Sequence, residues 1–261
     1  MVKICLDAGH YADYNRSPAV PAYYESRMNW KLHLLLKAEP EKYGISVITT
    51  RADPETDLPL ESRGKASKGC DLFLSLHSNA AGSGIYEDVD YVVAYVMLDG
   101  STDALGKALS QTVAALMQTR QSPQVKTREG SRGEYYGVLR GAAAVGTPGI
   151  ILEHSFHTQT RATKWLMEDA NLQALAAAEA QVIATHFGLD APQEAPPEAP
   201  SEKPLYRVQT GAFSSLENAQ KQVTALQNAG FEAIIKVSYP RDRECRGDSG
   251  IARQNRRMAA N

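Results

Sequence analysis

The sequence predicts an α/β domain with a mostly parallel, twisted sheet and helices on both faces, followed by a small partial βαβ module. Three observations support this prediction. Over residues 1–188, short apolar runs alternate with helical patterns, which is the order of parallel α/β folds. Residues 189–203 are rich in proline, glutamate and alanine and predict an extended linker. Residues 204–238 have a strand–helix–strand pattern, and the polar, arginine-rich residues 239–261 predict a disordered tail.

The first half of the large domain contains three predicted strands and two predicted helices. "VKICLDA" and "GISVITTR" are strand-like apolar runs, and apolar residues at helical spacing between them predict a helix over 26–38. We expect Pro40 to end or kink that helix. A short helix is predicted over 60–69, directly before the strongly apolar strand "CDLFLSLHSN".

The second half continues the alternation. "DYVVAYVM" predicts a strand, and regularly spaced aliphatic residues predict a helix over 102–119. "GIILE" predicts another strand. An alanine-rich helix is predicted over 171–187, and Gly188 is expected to end it.

Composition excludes several classes of protein. The 261 residues are 43% hydrophobic and 22% charged, and the net charge of −2 gives no sign of nucleic-acid binding. No apolar run approaches the roughly 20 residues that span a bilayer, and the N-terminus does not resemble a signal peptide. Cys5, Cys70 and Cys245 are odd in number and far apart. We therefore expect reduced thiols, with Cys5 as a small core residue.

Three predicted strands, "ICLDAGH", "LFLSLHSN" and "IILEHSFH", are apolar until polar residues follow at their C-terminal ends. Ligands of open α/β sheets bind outside these ends, so parallel pairing would bring His10, His77 and Glu153 to one rim. Glu25 lies in the segment after the first strand. Two histidines and one glutamate are the donor set of a catalytic zinc site, and the other carboxylate can serve as the base for zinc-activated water.

The same motifs carry a resemblance to a known family. "LDAGH", a glutamate fifteen residues after its histidine, "LFLSLHSN" and "ILEHSF" occur in the order found in the zinc-dependent N-acetylmuramoyl-L-alanine amidases of the amidase-3 family, which residues 2–187 resemble. The resemblance implies Zn²⁺ as the cofactor, with His10, Glu25 and His77 as its ligands and Glu153 as the general base. It also implies hydrolysis of the amide between N-acetylmuramic acid and the L-alanine of the stem peptide in peptidoglycan.

The sequence departs from the family beside two of these motifs. "GHYADYN" replaces the usual glycine pair after the first histidine, which predicts a different loop rim and a different stem-peptide preference. His154 follows the proposed base where the family often has a small or apolar residue. Strand alternation places His154 on the face opposite Glu153, so we assign it a structural role.

Four further residues are candidates for roles around the site. Arg140 could bind a stem-peptide carboxylate, because a guanidinium suits bidentate recognition. Asn79 could orient a ligand or the loop backbone. His157 is expected to pack the loop or to line the substrate rim, and Arg63 is expected to brace the sheet by binding backbone or carboxylate groups.

"LYRVQTGAFSSLENAQKQVTALQNAGFEAIIKV" resembles the first half of a SPOR domain, a βαββαβ module that binds glycan strands stripped of stem peptides. Ser214 and Glu217 predict a capping box, and Gly230 should end the helix. Its predicted buried face consists of Ala219, Val223 and Leu226. The residues after Val237 do not match, so the module is expected to be partial.

We therefore expect a peptidoglycan hydrolase with a wall-binding module, whose partners are glycan strands and stem peptides. We expect no nucleic-acid partner and no membrane insertion, and the oligomeric state stays open. The alternatives are a zinc peptidase acting within the stem peptide and a catalytically silent wall-binding protein. The missing signal peptide predicts synthesis in the cytoplasm and release by lysis or a holin, as for a prophage endolysin or a mother-cell autolysin.

Overall fold

A six-stranded sheet organises the first of the two units into which the chain divides, residues 1–199 and 200–261. The computed structural model describes residues 1–189, 211–230 and 233–235. The strands of the sheet are β1 (Lys3–Ala8), β2 (Ser46–Thr49), β3 (Leu72–Asn79), β4 (Val93–Val96), β5 (Gln124–Lys126) and β8 (Gly149–Phe156), and β6 (Glu129–Gly130) and β7 (Gly133–Glu134) form a separate hairpin.

The strand order is β2-β1-β3-β8-β4-β5. β1 pairs with β2 and β3, and β3 pairs with β8, all in parallel. β4 runs antiparallel to β8 and parallel to β5. The prediction of a mostly parallel sheet is confirmed, since the pairing of β4 with β8 is the one antiparallel pairing within this sheet. The C-terminal ends of β1, β3 and β8 therefore lie side by side.

The helices predicted in the first unit are present, with small shifts at their ends. They are α1 (Glu25–Ala38), α2 (Leu60–Lys65), α3 (Asp103–Met117) and α6 (Asp169–His186). Two further short helices, α4 (Gly137–Ala143) and α5 (Thr160–Met167), were not predicted. Pro40 ends α1 as predicted, because it opens a 3₁₀ helix, Pro40–Tyr43. Gly188 follows α6 in the left-handed region, with φ of +67°.

Alternation along the strands creates two apolar cores. The larger core packs α1, α3 and α6 against one face of the sheet through residues such as Leu6, Leu74 and Leu152. The smaller core lies on the other face, where Cys5, Phe73 and Ile151 meet α4. Helices thus cover both faces, as predicted, but the second face is covered only in part.

α2 and α4 cross at very short range on the less covered face. A Cβ added to Gly64 would lie 2.0 Å from the carbonyl oxygen of Val138, and one added to Gly141 would lie 2.2 Å from that of Glu61. Only glycine permits this approach. The crossing fixes α2 over the sheet and directs Arg63 towards β1.

The second unit is described through α7 (Leu216–Asn228), which Gly230 follows with φ of +84°. The predicted capping box is wrong: Ser215, not Ser214, precedes the helix, and no side chain caps it. Glu217 instead pairs with Lys221 at 2.8 Å. The face predicted to be buried is half-buried.

Several predictions fall on other parts of the chain. Residues 233–235 are irregular. Most residues of the two strands predicted on either side of α7 lie outside the described residues, as do residues 190–203 of the linker and the tail at 239–261. Within the first unit, Cys5 and Cys70 are buried free thiols, while Cys245 lies outside the described part. No helix among the described residues is long and apolar enough to cross a membrane.

Candidate metal centre

The predicted convergence of polar strand ends is present at one rim of the sheet. His77 of β3 pairs in register with Glu153 of β8. His10 follows the end of β1, where the N–H of Gly9 donates to the carbonyl of Leu76 at 3.0 Å. A Cβ on Gly9 would lie 2.3 Å from the ring of His77. Glycine at that position therefore lets the two histidines approach each other.

His10, Glu25 and His77 form a cluster of three possible metal ligands. One donor atom from each residue lies within 4.8 Å of the other two. Glu25 opens α1 and is only 2% exposed. Its Oε1 lies 2.8 Å from His77 Nδ1, and its Oε2 lies 3.3 Å from His10 Nε2. Two imidazoles and one carboxylate facing a common point fit a zinc ion.

The ionisation of the cluster also suits a cation. Burial alone would raise the pKa of Glu25, but hydrogen bonds to His10 and His77 hold that pKa well below its usual range. Burial lowers the pKa of His77, and the neighbouring Glu25 opposes this only in part. An ionised carboxylate beside a neutral imidazole is the state in which both bind a metal.

Glu25 is held by groups from three segments. Asn15 Nδ2 donates to its Oε2 at 2.6 Å, and the N–H of Ser78 donates to its Oε1 at 3.1 Å. Asn29, one turn later in α1, lies 3.4 Å from Oε1 and donates to the carbonyl of Gly9 at 3.1 Å. These bonds orient the carboxylate towards the two histidines.

Glu153 has a different environment. Its Oε2 is buried and has no hydrogen-bond partner among the described residues. Burial raises the pKa of Glu153 well above its usual range, and the negative charge of Glu25 adds to this effect. A partly exposed carboxyl group with one buried oxygen that has no partner among the described residues, beside the candidate ligand cluster, is available to exchange a proton with a bound molecule.

The sequence profile described as N-acetylmuramoyl-L-alanine amidase matches residues 4–185, which contain the whole cluster and Glu153. The chain belongs to this amidase family. Among curated relatives, it is 26% identical over 238 residues to the N-acetylmuramoyl-L-alanine amidase CwlM of Bacillus licheniformis, covering 90% of this chain and 85% of the relative. It is 24% identical over 239 residues to a sporulation-specific N-acetylmuramoyl-L-alanine amidase of Bacillus subtilis, covering 90% and 84%.

Solved structures of similar proteins share the fold of this amidase. The catalytic domain of CwlV, from Bacillus (Paenibacillus) polymyxa, aligns with a TM-score of 0.62 at 19% identity, covering 73% of this chain and all of that domain. AmiC2 of Nostoc punctiforme aligns with a TM-score of 0.61 at 20% identity, covering 72% and 97%. A SPOR domain profile matches residues 170–240, starting within α6.

His157 and Asn79 lie next to the candidate ligand cluster. His157 is 4% exposed, and its Nδ1 lies 2.8 Å from the carbonyl of Ser78 and 3.9 Å from Glu25 Oε2. The backbone N–H of His157 donates to the carbonyl of Asn79, and the side-chain oxygen of Asn79 accepts from the backbone N–H of Ala80. Both residues order the loop after β3, and their predicted contact with substrate stays a prediction.

Arg140 is engaged with the protein itself. Its Nε donates to Glu61 at 2.8 Å, and its Nη1 donates to the carbonyls of Glu134 and Tyr135. The side chain is 21% exposed. These bonds brace α4 against α2, and the predicted role in binding a stem-peptide carboxylate stays a prediction.

A buried ion pair supports the rim from below. Arg63 of α2 donates to both carboxylate oxygens of Asp7, and Ser75 and Thr50 donate to the same carboxylate. Burial would raise the pKa of Asp7, but the charge of Arg63 and these hydrogen bonds lower it. Arg63 thus braces the sheet through a carboxylate, as expected.

The loop after the first histidine is tightly held in an uncommon backbone conformation. His10, Ala12 and Asn15 have positive φ angles of 59°, 44° and 53°. Arg51 donates to the carbonyl of His10 at 2.5 Å, and the ring of Tyr14 stacks on the His10 ring at 4.9 Å. Non-glycine residues at positive φ store strain and often mark functional sites.

Sequence reasoning missed Asn15, Asn29 and Ser78 as contacts of Glu25. Asn15 lies in "YADYN", the segment that departs from the family pattern, so a signal existed there. Asn29 lies one turn after Glu25, and i, i+4 spacing on a helix would have indicated contact. The bond from the backbone N–H of Ser78 could not be predicted, because it does not depend on the type of side chain at that position.

Proposed function

We propose that this chain cleaves the amide bond between the lactyl group of N-acetylmuramic acid and the L-alanine of the stem peptide in peptidoglycan. His10, Glu25 and His77 would hold a zinc ion, and Glu153 would be the general base. One observation carries the proposal. The three donor atoms lie within 4.8 Å of one another, beside a buried carboxylate oxygen of Glu153 that has no hydrogen-bond partner among the described residues, in a chain of the amidase family.

Zinc, when bound, would polarise the scissile carbonyl and make water a better nucleophile at neutral pH. The carboxylate of Glu153 would take one proton from the attacking water and pass it to the nitrogen of L-alanine as the C–N bond breaks. The glycan then keeps a lactyl carboxylate, and the peptide leaves with a free amine. The raised pKa of Glu153 favours holding that proton between the two transfers.

The other residues of the site have supporting roles in this reaction. Glu25 supplies the negative charge that offsets a divalent cation, and Asn15 and Ser78 fix its two oxygens. The pair formed by Asp7 and Arg63 fixes the ends of β1 and β3 relative to each other. Positioning of this kind lowers the entropic cost of reaching the reactive geometry.

The C-terminal region would bind glycan strands and keep the catalytic domain on the cell wall. The proposed boundaries are residues 1–188 for catalysis, 189–203 for the linker and 204–238 for a partial SPOR module. The SPOR match supports a module that ends near residue 240, while its start at residue 170, within α6, does not coincide with the proposed boundary at 204. A truncation after residue 188 should release less product from insoluble peptidoglycan, while activity on soluble muramyl peptides is kept.

Digestion of purified peptidoglycan followed by mass spectrometry tests the proposal. The samples are the native protein, a chelator-treated sample, the same sample after zinc is restored, and the variants Glu153→Ala and Glu41→Ala. Glu41 is an exposed glutamate of the 3₁₀ helix and serves as the matched control. We expect stem peptides that begin with L-alanine, together with uncut glycans, in the native, zinc-restored and Glu41→Ala samples only.

Two other results would replace the proposal. Fragments cut inside the stem peptide would assign the same site to a peptidase. A native protein that binds zinc and wall but releases nothing would be a wall-binding protein.

A further inference from the structure

An ion pair lies inside the larger apolar core, on the face of β8 opposite Glu153. His154 and Glu179 of α6 are both fully buried, and His154 Nε2 lies 2.8 Å from Glu179 Oε1. The second oxygen of Glu179 has no hydrogen-bond partner among the described residues. Burying such a pair carries a desolvation cost that well-packed apolar side chains would avoid. The pair therefore calls for a role other than stability.

The other ring nitrogen of His154 contacts the backbone of a proposed zinc ligand. His154 Nδ1 lies 2.9 Å from the carbonyl oxygen of His77. A carbonyl oxygen can only accept, so Nδ1 carries the proton and donates it. The same peptide group continues as the N–H of Ser78, which donates to Glu25 Oε1 at 3.1 Å.

One peptide group is thus held at both of its polar atoms. Its oxygen is bound by His154, and its N–H binds the carboxylate of Glu25. His77, which precedes this peptide group, also lies 2.8 Å from Glu25 through its ring. A fixed orientation of the peptide group therefore sets the positions of two of the three proposed ligands.

The chain around His154 is built to keep this contact. The pairing of β3 with β8 is regular up to His77 and Glu153 and then shifts, with Asn79 opposite Phe156. Ser155 occupies the shift with a positive φ of 58°. Its hydroxyl donates to Asp90 at 2.8 Å. Such a bulge re-aims the side chains next to it.

We propose that His154 and Glu179 are positioning residues for the metal centre, acting through the peptide group that joins His77 and Ser78. Glu179 orients the imidazole, the imidazole orients the peptide group, and the peptide group orients Glu25 and His77. This inference rests on the proposed zinc site.

The test compares two substitutions that break different bonds. In Glu179→Gln, the amide can still donate to His154 Nε2, so Nδ1 keeps its bond to the carbonyl of His77. In His154→Gln, the terminal amide can reach Glu179 as Nε2 of the histidine does, but the side chain has no donor at the Nδ1 position. We expect Glu179→Gln to keep the zinc affinity of the native protein. His154→Gln should weaken zinc binding roughly 10- to 100-fold, the range found when a group supporting a ligand is lost.

Zinc dissociation constants are measured on metal-free protein by competition with a chromophoric chelator, and thermal unfolding is recorded for each variant. Leu175→Ala is the control, because Leu175 is a buried residue of the same helix one turn earlier. It should lower Tm and leave zinc affinity unchanged. Equal zinc affinity in His154→Gln and Glu179→Gln would overturn the inference, as would a parallel loss of affinity in Leu175→Ala.

A fourth variant covers the case in which His154→Gln does not fold. The double substitution His154→Leu/Glu179→Leu removes both charges and is expected to fold, because apolar replacements of buried pairs are often neutral or stabilising. It should show the same weakened zinc binding at an undiminished Tm, and native affinity would overturn the inference. A native protein that binds no zinc would instead overturn the proposed function, so the two failures are distinguishable.

Discussion

The two sides of the sheet treat buried charge differently. On the core side, His154 and Glu179 bind each other, and the second oxygen of Glu179 has no hydrogen-bond partner among the described residues. On the other face and at the rim, Asp7 and Glu25 have partners on both oxygens, but Glu153 has a buried oxygen with none among the described residues. Proteins rarely leave a buried carboxylate oxygen unsatisfied without a functional reason. Glu179 is fully enclosed, whereas Glu153 is partly exposed at the rim, so of these two acids Glu153 is the candidate base.

The largest expected effect comes from the unsatisfied group. Glu153→Gln should lower kcat on peptidoglycan roughly 10²- to 10⁴-fold, because a neutral amide cannot accept the proton of the attacking water. Stability at pH 7 should hold or rise, since burial raises the pKa of Glu153 and its ionised form disfavours the folded state at that pH. Kinetics and urea unfolding of the same sample measure both quantities. A large loss of stability would mean that Glu153 has a structural partner instead.

Removing one member of a buried ion pair should instead lower the unfolding free energy. Arg63→Met leaves the buried Asp7 without its cation, which typically costs about 3–5 kcal/mol of unfolding free energy. The double variant Asp7→Asn/Arg63→Met should recover part of that loss, because no uncompensated charge is left. Denaturant unfolding of the single and double variants checks this. Additive losses would show that the two residues do not act as a pair.

A buried histidine that forms no ion pair with a described residue gives a smaller and pH-dependent effect. Burial lowers the pKa of His33, in α1, to about 4. The unfolded chain binds the proton first as the pH falls below roughly 6.5, so the unfolding free energy is lost between that pH and about 4. The loss amounts to about 3 kcal/mol at most. His33→Leu should remove this part of the pH dependence, and unfolding of both proteins at pH 7 and pH 4 measures it.

The smallest effect is expected where both charges are exposed. Lys31 of α1 pairs with Asp169 at the start of α6, and both side chains are largely in solvent. Lys31→Ala should change the unfolding free energy by about 0–1 kcal/mol and leave zinc affinity unchanged. Salt should reduce even that difference. An effect as large as that of Arg63→Met would show that burial does not determine how much an ion pair contributes to stability.

Much of the fold could be predicted because its signals are local. Short apolar runs indicated β1, β3 and β8, helical spacing indicated α1, α3 and α6, and Pro40 ended α1 as expected. The capping box predicted for α7 was wrong, because Ser215 rather than Ser214 precedes the helix and no side chain caps it. The antiparallel direction of β4 could not be predicted, since it depends on the path that the long connections take across the sheet.

The candidate site could also be predicted only in part. Polar residues after apolar strands indicated His10, His77 and Glu153, and the family resemblance alone assigned Glu25 as a proposed ligand and Glu153 as the proposed base. Period-2 alternation correctly placed His154 on the side away from Glu153. Its partner Glu179 lies 25 residues later on another element, so spacing gave no sign of it.

The sequence by itself determined the residue types, their order and the face of each strand on which they lie, because these follow from neighbours along the chain. Only the tertiary structure decided which buried charges have partners. Asp7 meets Arg63 across 56 residues, and one peptide group joins His154 to Glu25 across the sheet. These contacts arise from packing between distant segments, and they distinguish the braced carboxylates from Glu153, whose Oε2 has no protein partner among the described residues.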